Sequence, residues 1–235
     1  MRLPSLLKRR VAGWVDGIFD VYATKSYSQE GEDLILRRMF ERRPRGFYVD
    51  VGAYHPRRFS NTNLFYKRGW NGINIDPSPD AIRAFRSARP RDVNLEIGVS
   101  DHSQILKYHV FDEPALNSFD GNLVAWRLAN TRCRLLKTID VPVEPLREIL
   151  QKYLPANQTI DFMSVDAEGL DLAVLKSNDW RVFRPQCVVA EALRSSLEEA
   201  MHGEVYLFMK EKGYELFART YNTLIFRDAL CNGKT

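Results

Sequence analysis

Cysteine is scarce in this 235-residue chain. Cys133, Cys187 and Cys231 are an odd number without C-x-x-C spacing, which excludes a disulfide framework and a zinc cluster and points to a reducing compartment. No apolar run approaches the roughly 18 residues that a spanning helix needs. A clean signal-peptide stretch is also missing, because Arg9, Arg10, Asp16 and Asp20 interrupt the first 25 residues. The net charge of +4 is mild, so composition does not call for nucleic acid, and no RNA-binding pattern is visible. These absences lead to the expectation of a cytoplasmic protein. The apolar share of 45% and charged share of 27% fit an ordinary globular chain with a sizeable core.

One further absence concerns the ligand. Residues 46–55 read Gly-Phe-Tyr-Val-Asp-Val-Gly-Ala-Tyr-His, a buried strand carrying Asp50 with Gly52 in the turn beyond. Residues 72–76 read Gly-Ile-Asn-Ile-Asp, a second strand ending in Asp76. Two strands that each deliver an acid to one sheet edge suit a nucleoside cofactor, with the second acid accepting from ribose hydroxyls. A pyrophosphate calls for G-x-G-x-x-G opening a helix. Here only Gly52 of the three glycines is present, and Pro56 follows. S-adenosylmethionine (SAM), with a ribose and no phosphate, fits better than a dinucleotide.

Along the chain, Leu3, Leu7, Val11, Val15, Ile18 and Tyr22 recur at helical spacing beside Lys8, Arg9 and Arg10. Residues 1–25 therefore read as an amphipathic helix, either docked on the domain or lying peripherally on an anionic inner membrane face. Ser28 is the expected N-cap of a helix running to about Phe40. Strands are expected at 47–51, 72–76, 93–99, 160–165 and 187–191. Helices alternate with them, including 79–88, 146–153 and 197–212. Residues 104–111 and 137–144 show strand alternation around an aperiodic insertion, 112–136. Residues 214–219 and 223–227 read as a closing hairpin. The expected architecture is a doubly wound α/β domain over 26–235, with a mostly parallel seven-stranded sheet and a C-terminal antiparallel hairpin.

Several segments together resemble the FkbM family of SAM-dependent methyltransferases. They are residues 27–36 (YSQEGEDLIL), 46–53 (GFYVDVGA), 60–62 (SNT), 69–77 (GWNGINIDP), 164–169 (SVDAEG) with Val174-Leu175, 189–191 (VAE) and Gly213-Tyr214. The resemblance spans about 26–227 and leaves the first residues and the insertion outside. It implies the class I methyltransferase fold and O-methylation of sugar hydroxyls in polysaccharides or glycolipids, or of macrolide-type natural products. It implies Asp50 and Gly52 at the methionine end of SAM, Asp76 at the ribose and the 98–101 turn, with Ser100, near the adenine. Gln29, Asp33, Asn61 and Thr62 would help close the pocket.

Methyl transfer to a hydroxyl needs a proton acceptor or a metal near the methyl. Asp166 is the leading base, with Glu168 two residues on. His55, in the loop after the first strand, is the other candidate. Asp166 and Glu191, at neighbouring strand ends, can also hold a divalent cation such as Mg²⁺, Ca²⁺ or Mn²⁺. The turn after the fourth strand is Asp166-Ala-Glu-Gly169, not the Asn/Asp-Pro-Pro-aromatic turn of N-methyltransferases, and no Pro-Cys pair serves cytosine C5 chemistry. Both absences favour oxygen as acceptor. A nicotinamide-dependent oxidoreductase and a noncatalytic module that keeps the fold are the competing readings.

Overall fold

The computed structural model describes residues 22–192 and 196–231. The expected N-terminal helix, 1–25, lies almost wholly outside the described residues. Strand β1 (Phe47–Val51) is buried at every position, as expected for a strand covered on both faces. It pairs in parallel with β2 (Asn71–Asp76) and with β7 (Phe162–Val165). The full order is β3-β2-β1-β7-β8-β10-β9, where β3 is Val93–Glu96, β8 is Cys187–Glu191, β9 is Tyr214–Arg219 and β10 is Thr223–Asp228. The hairpin strands β9 and β10 close the edge, with β10 antiparallel to both neighbours. This is the doubly wound class I methyltransferase sheet.

Helices cover both faces. Helix α1 (Glu32–Met39) buries Leu36 and, through Phe40, joins an aromatic cluster with Phe65, Trp70 and Phe162. Phe65 and Phe162 stand 4.8 Å apart at their centroids. Helix α2 (Asn63–Lys67) supplies Leu64 and Phe65 to the same cluster. On the other face, α5 (Leu146–Tyr153), α6 (Asp171–Lys176) and α8 (Glu204–Glu211) pack Leu146, Ile149, Val174, Leu175 and Met209 against Val49, Met163 and Val188. Cys187 is fully buried in the aromatic face, a small core residue.

Four local expectations change. The N-cap of α1 is Gly31, at φ 91°, and the Ser28 hydroxyl instead accepts from the Asp33 amide. The expected strand 93–99 divides: β3 stays in the main sheet, while β4 (Gly98–Val99) turns away to pair with β6 (Leu135–Glu144). There β4, β6 and β5 (Gln104–Phe111) form a separate three-stranded sheet. A Cβ on Gly98 would fall 2.7 Å from the Val143 side chain, so this crossing needs glycine. The expected helix 197–212 breaks at Gly203, extended at ψ 154°, into α7 (Leu197–His202) and α8. The aperiodic 112–136 segment contains α4 (Gly121–Asn130), capped by Asp120 through the amides of Asn122 and Leu123. Between β2 and β3, α3 (Pro79–Ala88) starts as the sequence indicates, with Ser78 as its cap.

Candidate active site

The carboxyl ends of β1, β2, β7 and β8 open into one cleft of about 890 Å³. Its far wall is built by the second sheet and the insertion, through Tyr108, Asn117, Phe119, Leu123 and Arg127. Crevices of this kind lie where the strand order reverses, here between β1 and β7.

Asp76 ends β2 at the cleft wall and is held at both oxygens. Oδ1 accepts from the Ser78 amide at 2.8 Å and Oδ2 from the Tyr54 amide at 2.9 Å. Burial pushes its pKa up to about 6, and those two amides pull the other way. Ile97, Gly98 and Val99 line the wall beside it. Gln29 and Asn61 also reach the cleft, Asn61 donating to the Ser164 hydroxyl at 3.0 Å.

Gly52 lines the cleft, and the packing of the strand ends behind it also requires a glycine. At φ 75° its Cβ would stand 1.7 Å from the Asp166 carbonyl oxygen, so the ends of β1 and β7 can meet only without a side chain.

Asp50, Asp33, Thr62 and Ser100 are not among the residues that line the cleft. Asp50 lies within β1, not beyond its end, and accepts the Thr62 hydroxyl at 2.7 Å. Thr62 in turn accepts from Arg89 at 2.7 Å, and Arg89 also donates to Ser60 Oγ and to the Pro56 carbonyl. This buried network fixes the 54–62 loop, and nothing in the sequence marks Arg89 as its centre. Asp33 is taken up by its own loop, accepting from Ser26 Oγ, Ser28 Oγ and the Tyr27 amide. The Ser100 hydroxyl turns to Asp101.

At the β7 and β8 ends the structure gathers Asp166, Asp171 and Glu191, whose carboxylate oxygens lie within 4.8 Å of one another. Asp171, the first residue of α6, extends the pair expected from sequence. Asp166 is exposed to the cleft, with protein packed around its carboxylate. Burial first, then the charges of Glu168 and Asp171, drives its pKa well above the usual range. Glu191 is raised for the same reasons, with Asp166 the foremost charge. Such a group of acids shares protons.

Glu168 is differently placed from the free base expected. It sits at φ 48° and forms an ion pair with Arg127, a residue only 5% exposed. Arg127 also donates to the Leu116 carbonyl at 2.6 Å, and Ser118 Oγ donates to the Glu168 carbonyl at 2.7 Å. The insertion thus grips the β7 turn, through an arginine that an aperiodic sequence gave no means of selecting.

His55 lines the cleft, and its Nδ1 accepts from the amides of Arg57 and Arg58, both at 3.0 Å. That fixes the neutral tautomer with the proton on Nε2, a hydrogen-bond donor and not a base. Burial, then Arg58 and Arg57, lowers its pKa and keeps it neutral. Arg58 itself is paired with Glu113, which also accepts from Tyr54.

The buried acids set a pH dependence. Asp50 and Asp76 both titrate at about 6 in the fold, against about 3.9 unfolded. A raised carboxylate favours the protonated form, so its contribution is present at low pH and lost as pH rises through 6. Asp166 and Glu191 act with the same sign. Without ligand, the urea midpoint is expected to be higher at pH 5 than at pH 8, by the equivalent of about 2–4 kcal/mol. A midpoint that is flat or rises from pH 5 to 8 would show that these acids are not desolvated.

A family model, the methyltransferase FkbM domain, matches residues 50–216, which is most of the chain. The chain belongs to the FkbM methyltransferase domain family. The FkbM match runs from Asp50 in β1 to Leu216 in β9 and so includes the strand ends that form the cleft. SAM-dependent methyl transfer is the activity class. No curated protein matches the sequence. Among solved structures, the O-methyltransferase from Bacillus cereus in complex with SAH aligns at 10% identity and TM-score 0.41, covering 96% of this chain and 91% of that one. A TehB-like SAM-dependent methyltransferase from Corynebacterium glutamicum aligns at 12% identity and TM-score 0.38, covering 96% and 100%. The fold assignment rests on the strand order and the FkbM match.

Proposed function

We propose that the protein methylates a hydroxyl, on a sugar of a glycan, glycolipid or nucleotide-sugar precursor. The observation that carries oxygen as acceptor is the convergence of Asp166 and Glu191 in the cleft, two carboxylates of raised proton affinity. A base of that affinity is matched to a hydroxyl that loses its proton as the new bond forms.

The cleft suits SAM: Asp76 would hold the ribose hydroxyls, and Ile97, Gly98 and Val99 would flank the base. When bound, SAM supplies an electrophilic methyl on a sulfonium that leaves without needing a proton. The protein's own work is then positioning and proton removal. Asp166 takes the acceptor proton, while Glu191 shares the pair's charge. His55 donates from Nε2 to the acceptor or cofactor. The insertion wall excludes water and shapes the acceptor side. A second reading gives the same three oxygens to Mg²⁺, because their spacing lets one ion meet Asp166, Asp171 and Glu191 together.

The test begins with calorimetric titration of SAM and, in parallel, NAD. Wild type is expected to bind SAM in the micromolar range, and Asp76→Ala to weaken it at least about tenfold, through loss of ribose hydrogen bonds. SAM-dependent release of S-adenosylhomocysteine is then followed over sugar and polyketide hydroxyl acceptors, with and without EDTA. Abolition by EDTA with rescue by Mg²⁺ selects the metal reading. Turnover on polyketides alone moves the acceptor class. Binding with no turnover on any acceptor supports the noncatalytic module.

A further inference from the structure

Outside the cleft, the described surface has a second depression, a shallow groove of about 520 Å³. Lys25, Arg37, Lys67 and Arg68 line it, with Tyr27 and Leu64, and no acid does. Among the described residues none of these four cations forms an ion pair with a carboxylate. The nearby Glu41 carboxylate is engaged by Arg38, and Arg68 reaches only the Glu41 carbonyl. Lys25 and Lys67 instead stand over the one Tyr27 ring, at 5.0 and 5.5 Å. Gathering four like charges around a shared groove without a counter-ion raises the local potential and leaves it to be met from outside.

We infer that this groove docks the protein on an anionic lipid bilayer, its cations meeting lipid phosphates. Two observations select a bilayer. Leu64 and Tyr27 line the groove among its cations, and Tyr22, one residue before the lining Ala23, is 85% exposed, a pairing of aromatic and cationic groups suited to a headgroup layer. The chain also enters the groove at Ala23 from residues whose sequence adds Lys8, Arg9 and Arg10 among Leu3, Leu7 and Val11. The groove adjoins the cleft: Tyr27 lines one and Gln29 the other, and the Tyr27 carbonyl accepts the Ser60 amide from the cleft loop. Docking is independent of the identity of the methyl acceptor.

The test is flotation of the full chain with vesicles of phosphatidylcholine alone, or with about a third phosphatidylglycerol, at low and physiological salt. The expected result is at least tenfold greater partition onto anionic vesicles, weakened by salt. Lys25→Glu with Lys67→Glu is expected to reduce it at least tenfold, while retention of SAM affinity shows that the variant is folded. Reversal at Lys8, Arg9 and Arg10 separates the preceding segment. The proposal is overturned if the groove variant partitions like wild type, if inorganic phosphate in millimolar excess displaces the protein, or if neutral vesicles bind equally. Tighter binding to a structured RNA than to the anionic vesicles would overturn it as well.

Discussion

Asp166→Asn is expected to lower kcat by roughly 10²–10⁴-fold while SAM affinity changes little. The carboxylate serves as base only when ionised, so wild-type kcat should rise with pH to a plateau through the raised pKa of the acid pair. Glu191→Gln removes one of the two carboxylates gathered with Asp166, and the limb should move to lower pH. The double variant should be little worse than Asp166→Asn alone, because groups that act as one unit are not additive. Removing a charge repelled by its neighbours should also raise the urea midpoint of the ligand-free protein at pH 8. A variant with full turnover would end the case for Asp166 as base, and an unmoved pH limb in Glu191→Gln would end the pairing. In both, urea unfolding distinguishes lost chemistry from lost structure.

Gly52→Ala is expected to be the most damaging methyl group that can be added to the β1 turn. The new Cβ would meet the Asp166 backbone oxygen at 1.7 Å, and φ 75° is itself unfavourable for an L side chain. Since the obstacle is backbone and not a flexible side chain, β1 and β7 must separate. The expected loss is about 3 kcal/mol or more in stability, with SAM affinity reduced at least about a hundredfold in whatever remains folded. Gly31→Ala is the control. It shares the positive φ, at 91°, but its Cβ would meet nothing within 4 Å, so a cost of only about 1 kcal/mol is expected. Equal costs at the two glycines would attribute the effect to backbone conformation and remove the close approach of β1 and β7 as its cause.

Which residues were legible follows from how far their partners lie along the chain. The fully buried run 47–51, the helix opening at Pro79 and the 146–153 helix each declare themselves within one local pattern, and all three form as read. Asp76 is visible because it stands last in its strand, and strand ends face the crevice. Asp50 stands one residue short of the end of β1, and its carboxylate accepts from Thr62, a partner that strand position does not announce. Gln29 and Asp33 sit in one motif, yet one faces the cleft and the other caps its own loop.

Sequence alone determined most of the order of strands and helices, the family and the acids at the crossing edge, because hydrophobic period and strand-end position are properties of neighbouring residues. Tertiary structure decided the rest. Only there does β4 leave for the second sheet, and only there does Arg127 meet Glu168 across 41 positions of chain. The proton affinity of Asp166 was likewise decided there. It depends on the protein around it and on carboxylates brought from the β7 turn, α6 and β1, and electrostatic interaction follows distance in space, not separation along the chain.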